Sequence, residues 1–193
     1  MFNEKAKSVD ETAATITKTG GAEGSAGAKG VYRIECFDKD GNLKWVAESE
    51  NLVVNAGLQD MNTKYFKGVA YTAAWYIGLY GAAASNNPAA SDTASSHAGW
   101  TEVTPYSNAT RPAATFGTAS TANPSIITNS ASPAQFNINA TQTVGGAFLI
   151  SDNTKGGTTG VLFSAADFQS PGDRNVTSGD TLNVTYTFSL TAV

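Results

Sequence analysis

The chain has 193 residues, a formal net charge of −4 and a pI near 4.9. That length supports one sizeable core and leaves little room for a second, and the acidic balance excludes nucleic acid as a partner, because phosphate binding needs clustered Lys and Arg. A single Cys and a single His exclude an intrachain disulfide and zinc sites of the Cys/His type.

Residues 1–30 differ from the rest. They hold four Lys and four acidic residues, then GGAEGSAGAKG, with no aromatic after Phe2. Such a segment cannot bury enough apolar area to offset the cost of ordering it. We read it as a flexible N-terminal arm with a Gly-rich hinge at 20–30, either a tail with no task or an arm that orders on a neighbouring subunit. Ala14, Thr15, Ile16, Thr17, Lys18 and Thr19 are its candidate contact, a stretch able to add a strand to another subunit's sheet edge. The opening residues lack the apolar core of a secretory leader, and no run of 18 apolar residues occurs, so synthesis in a cytoplasm and no membrane partner are expected.

Residues 31–193 read as a single domain. VYRIECF alternates, with Tyr32, Ile34 and Cys36 on one side and Arg33 and Glu35 on the other. DKDGN is a turn in which Gly41 takes positive φ, and LKWVAESENLVV returns, so 31–54 is expected to be a hairpin. A helix follows, with Asn55 as its cap, Leu58, Met61, Tyr65 and Phe66 at three-to-four spacing, and Gly68 as its stop. AYTAAWYIGLYG reads as a central strand. Residues 82–98 form a long loop of small side chains, functional or mobile. Further strands are expected at 100–106, 111–117, 125–129, 134–140, 144–151, 160–164 and 181–192, separated by Gly- and Pro-containing turns. The last alternates Leu182, Val184, Tyr186, Phe188 and Leu190 against mostly Thr and Ser, and a strand of that length belongs inside a sheet. The fold class is therefore mainly all-β, a jelly-roll or β-sandwich core with one short helix and an extended arm.

Between Lys67 and Asp152 lie 84 residues, of which Asp92, Glu102 and Arg111 alone are charged. About 21 would be ordinary at a charged fraction of one quarter. A surface of Ala, Ser, Thr, Asn and Gly can lie against another protein without burying unpaired charge. It also supplies almost no acid, base or metal ligand. His97 sits in SSHAGW, a spacing that matches no hydrolase arrangement. Asp152, Asp167, Asp173 and Asp180 follow no calcium-loop pattern. GAEGSAG lacks the Lys-Ser/Thr of a phosphate loop. Cys36, with no cation beside it in sequence, reads as a buried inert thiol. No catalytic, cofactor or metal site is expected, and the chain is read as a non-enzyme. Trp75, Tyr76 and Tyr80 read as core packing, with a sugar-binding platform as the alternative.

NLVVNAGLQDMNTKYFKG, YTAAWYIGLYG, SDTASSHAGWTEVTPYSNATRPA, VGGAFLISDNTKGGTTGVLFSA and VTSGDTLNVTYTFSLTA together resemble small structural proteins of tailed bacteriophages and prophages encoded near the major capsid gene. The resemblance covers about residues 31–193 and omits the arm. It implies a virion protein of the capsid cement or decoration kind, made in the bacterial host cytoplasm. Its implied partners are the major capsid protein and copies of itself, and a homo-oligomer is expected. A neck or tail connector, or a carbohydrate-binding fibre module, is the alternative.

Overall fold

The computed structural model describes residues 26–71, 74–81, 87–168 and 172–192. The fold is mainly β, with several antiparallel sheets and one short helix, in agreement with the sandwich expected from sequence.

The first sheet has the order β2-β1-β11-β5, from β1 (Ala26–Phe37), β2 (Leu43–Glu50), β5 (Ser125–Thr128) and β11 (Thr181–Ala192), with β6 (Ala134–Asn137) also on β11. The β1–β2 hairpin turns at Gly41, whose φ is 83°. β11 runs antiparallel to β1 through twelve residue pairs from Ala26–Ala192 to Phe37–Thr181. It is thus an interior strand, as its length predicts. The second sheet has the order β3-β9-β8-β4, from β3 (Leu52–Val53), β4 (Tyr76–Tyr80), β8 (Gly146–Ile150) and β9 (Leu162–Asp167). A small pair, β7 (Gln142–Val144) with β10 (Arg174–Val176), stands apart.

The two sheets share one core. Tyr32, Ile34, Leu182 and Val184 of the first meet Ile77, Leu79 and Leu149 of the second in one buried cluster. The far side of the second sheet is covered as well: Tyr80, Phe148, Ile150 and Leu162 pack with Ala94 and Trp100 of the preceding loop. Burial on both faces explains why GAFLI is a continuous apolar run and why LFSAA, broken only by the buried Ser164, does not alternate.

Several sequence expectations are corrected. β1 starts at Ala26, so residues 26–30 belong to a strand and not to the hinge. Gly30 is there for contact: a Cβ would run into the Tyr186 hydroxyl and the Asn51 amide, which bond each other at 2.9 Å. β4 is not central. It ends the second sheet, and residues 100–106 and 111–117 are not strands but short pieces laid along its free side. Val103 N donates to Leu79 O at 2.7 Å, Gly81 N to Thr101 O at 2.9 Å, and Ile77 N to Pro112 O at 2.9 Å. Pro105 and Pro112 lack the N–H that a continuing ladder needs. The 144–151 run divides at Gly145 into β7 and β8, and β10 was too short to be seen. The described part of the 82–98 loop is tied down: Asn55 N donates to Ala90 O at 2.8 Å, and Asp92 accepts from Ala89 N and from the Trp100 indole, each at 3.0 Å.

The helix α1 (Asn55–Lys67) ends at Gly68, in the left-handed conformation with φ 63°. Asn55 is its first residue rather than its cap; Val54 occupies that place and makes no side-chain bond. Of the expected apolar face only Met61 packs inward. Gly57, Asp60, Met61 and Lys64 form the stripe turned toward the protein, whereas Leu58, Tyr65 and Phe66 are exposed. The cause is Gly57. Without a side chain it lets the helix backbone rest on the backbone of Phe163, where a Cβ would collide with the Phe163 carbonyl.

Candidate interaction surface

The three charged residues of the 68–151 stretch all lie inside. Arg111 is 2% exposed, Asp92 6%, and the Glu102 side chain 9%. Arg111 clamps Glu102 along one edge of its guanidinium, Nε to Oε1 at 2.9 Å and Nη2 to Oε2 at 2.7 Å, and donates to the carbonyls of Asp152 and Gly157, each at 2.8 Å. Glu102 also accepts from Gly156 N at 2.8 Å. The pair joins the segment along β4 to the turn after β8. Asp92 anchors Trp100. Nothing charged remains at the surface of the described residues in this stretch.

Beside α1 the surface becomes apolar. An inner cavity of about 340 Å³ is walled by Trp75, Phe116, Phe163 and Phe188, and an adjoining outer one of about 580 Å³ by Tyr65, Phe66 and Leu190. Met61, Lys64 and Tyr71 line both, so they form one groove between the helix and the open end of the sandwich. Tyr65 is 83% exposed and Phe66 77%, their rings edge to face at 5.0 Å. The Lys64 ammonium lies 5.1 Å from the centre of the Tyr71 ring. Contiguous exposed aromatics of this kind mark contact surfaces, and Tyr and Phe are the residues enriched at the centre of such contacts. Sequence reading missed the groove. The signal was the Tyr65-Phe66 pair, two adjacent large aromatics that one helix stripe cannot bury together.

The other candidates are accounted for in the packing. His97 stacks on Trp100 with ring centres 3.9 Å apart, and its Nδ1 faces the Trp100 carbonyl at 2.9 Å. Cys36 is fully buried; burial, and then the Asp180 carboxylate 3.8 Å away, push its thiol up to about 12. Burial alone would raise Asp180, but a 2.5 Å bond from the Lys44 ammonium and one of 2.8 Å from Thr177 N hold it below the usual carboxylate value. Asp167 is raised by burial and accepts from the Tyr80 hydroxyl at 3.1 Å. Asp152 is lowered, first by the backbone N–H of Thr154 at 2.7 Å. Asp152 and Asp180 are thus separately engaged, Asp173 is near enough to Asp167 to add to its rise, and among the described residues no group of three or more His, Cys, Asp or Glu is placed to hold a metal. No helix among them is long and apolar enough to cross a membrane. Trp100 and Tyr106 are buried, and Trp75 is half-buried against Phe163. Ala14 to Thr19 lie outside the described residues.

Comparison with known proteins returns no matching family model, no matching curated protein and no matching solved structure.

Proposed function

We propose that the protein is a structural component of a tailed-phage or prophage virion: a cement or decoration protein that binds the outer face of the capsid and stabilises the head through contacts with the major capsid protein and with copies of itself. The observation that carries the reading is the inward turning of Asp92, Glu102 and Arg111. A stretch of 84 residues then offers a partner a surface that is polar, uncharged and cheap to dehydrate. The aromatic groove supplies the apolar centre that such a contact needs. The sequence resemblance over residues 31–193 points to the same class. A protein that binds only the assembled shell stabilises it by mass action, with no chemistry required.

The test is the copy number in purified particles, by quantitative gel analysis or mass spectrometry. Hundreds of copies per particle are expected. A count of about a dozen or fewer, the size of a closed ring, would replace this reading with a neck or tail connector. The carbohydrate-module alternative loses Tyr80 as a stacking platform, because it is buried, as are Trp100 and Tyr106, and Trp75 and Tyr76 are half-buried.

A further inference from the structure

The described edges of the two larger sheets leave little room for an added strand, β3 being only two residues long. β11 is paired on both sides, residues 117–120 bond the free side of β5, and residues 101–114 occupy that of β4. β2 stays open, but it displays Lys44, Glu48 and Glu50, the charged kind of edge that discourages pairing. The groove beside α1 is the open apolar surface.

We propose that this groove receives the N-terminal segment of a neighbouring copy, bound as an amphipathic helix. The inference rests on the proposed function in one respect, that copies stand side by side on a particle. Two observations select the occupant. The first is the sequence pattern: Phe2, Ala6, Val9, Ala13 and Ile16 recur at alternating steps of four and three. On a helix these positions share one face. Fifteen residues in that form span about 22 Å, which matches the thirteen-residue α1 that forms one wall of the groove. An amphipathic helix in an apolar groove is an established mode of recognition. The second is where the segment joins the fold. β1 begins at Ala26, and Ala28 stands opposite Leu190, which lines the outer groove. The 25 residues before Ala26 therefore start at a groove mouth, and extended they reach up to about 80 Å. β1 passes Leu190 and continues to Ala26 opposite Ala192, so its direct extension leads off the end of the sheet and away from its own groove.

Cysteine cross-linking of the full-length protein tests this. Cys36 is buried with its thiol pushed up to about 12, so it stays silent. Thr17→Cys borders the apolar face of the segment, and Asn62→Cys stands at the outer groove. The two variants, mixed at about 1 mM to approach the effective concentration of neighbours on a shell, are oxidised and run on non-reducing gels. A mixed dimer linked at 17 and 62 is expected, at least tenfold more abundant than with Leu43→Cys, which is exposed on the far hairpin. Adding Val9→Ser and Ile16→Ser to the Thr17→Cys chain should reduce that dimer at least tenfold, since each buried aliphatic side chain is worth a factor of about ten or more. Absence of the mixed dimer overturns the proposal. So does a link formed only within single chains carrying both cysteines, which would place the segment in its own groove. As a measurement independent of the cysteines, a synthetic peptide of residues 1–25 should shift the tryptophan emission of the full-length protein through Trp75, and no shift at saturating peptide counts against it. Copy number in particles is read separately, so the function and the groove's occupant fail independently.

Discussion

Arg111 donates four hydrogen bonds from inside the protein, two to Glu102 and two to main-chain carbonyls. Removing it leaves the Glu102 carboxylate buried without its partner. Arg111→Met should therefore cost about 3–5 kcal/mol of unfolding free energy, read by urea denaturation. Arg111→Lys should also lose stability, because an ammonium cannot reproduce the planar fork. Glu102→Leu combined with Arg111→Met should recover part of the loss. The Lys44–Asp180 pair gives a pH dependence. Asp180 is lowered from 3.8 in the folded protein, so its stabilisation is present above that value and is lost as pH falls through the folded value. Lys44 is raised from 10.5, chiefly by its bond to Asp180, so its share is present below 10.5 and is lost as pH rises through the folded value. Asp180→Asn should cost about 1.5–3 kcal/mol between pH 5 and 9, with a difference from wild type that shrinks below pH 3.8. Sequence makes Cys36, which lies beside Asp180, legible, because it sits on the apolar side of an alternating strand. It did not show Asp180 as the neighbour of Lys44, since the two are 136 positions apart and only the closure of β11 on β1 joins them.

At the scale of elements, legibility followed periodicity. β1, β2 and β11 have one buried face, and their alternation marks them plainly. β4 was found but misplaced, because what caps its free side is irregular chain that carries no period. α1 was found with its ends nearly right and its face right only at Met61, since the inward stripe is built around a glycine and not around the apolar residues. That glycine makes a prediction. An Ala in place of Gly ordinarily favours a helix by about 1 kcal/mol. At position 57 the added methyl meets the Phe163 carbonyl and Cα, which are backbone and cannot rotate away. Gly57→Ala should destabilise the protein by about 1–3 kcal/mol net, seen as a lower melting temperature. A gain in stability would mean that the helix can lift from β9 at little cost.

At the scale of the whole molecule, the low charge of residues 68–151 was visible in the sequence, but its meaning depended on where three side chains point. Had Asp92, Glu102 and Arg111 faced solvent, the surface would have been sparsely charged; with all three inside, it is uncharged. Sequence signals the exposed Tyr65-Phe66 pair but not the groove, because its walls come from α1, β5, β8, β9, β11 and from Tyr71, Trp75, Phe116 and Gly117, brought together only by the sandwich. The start of β1 sharpens what truncation should do. Removing residues 1–25 leaves every pair of the β1–β11 ladder in place, from Ala26–Ala192 onward. Removing residues 1–28 deletes the partners of Ala192, Thr191 and Leu190 and exposes the end of β11. The shorter deletion should leave thermal unfolding of the dilute protein within about 0.5 kcal/mol of wild type, as for changes outside packed structure. The longer one should lower it by about 1–2 kcal/mol, the scale of a few lost cross-strand pairs and hydrogen bonds. Both should detach from particles at lower denaturant than the full-length protein, because each lacks the segment assigned to the neighbour's groove. Calorimetry of the free proteins and sedimentation of decorated particles separate the two effects. Equal retention of the 1–25 deletion and the wild type on particles would show that attachment is carried by residues 26–193 alone.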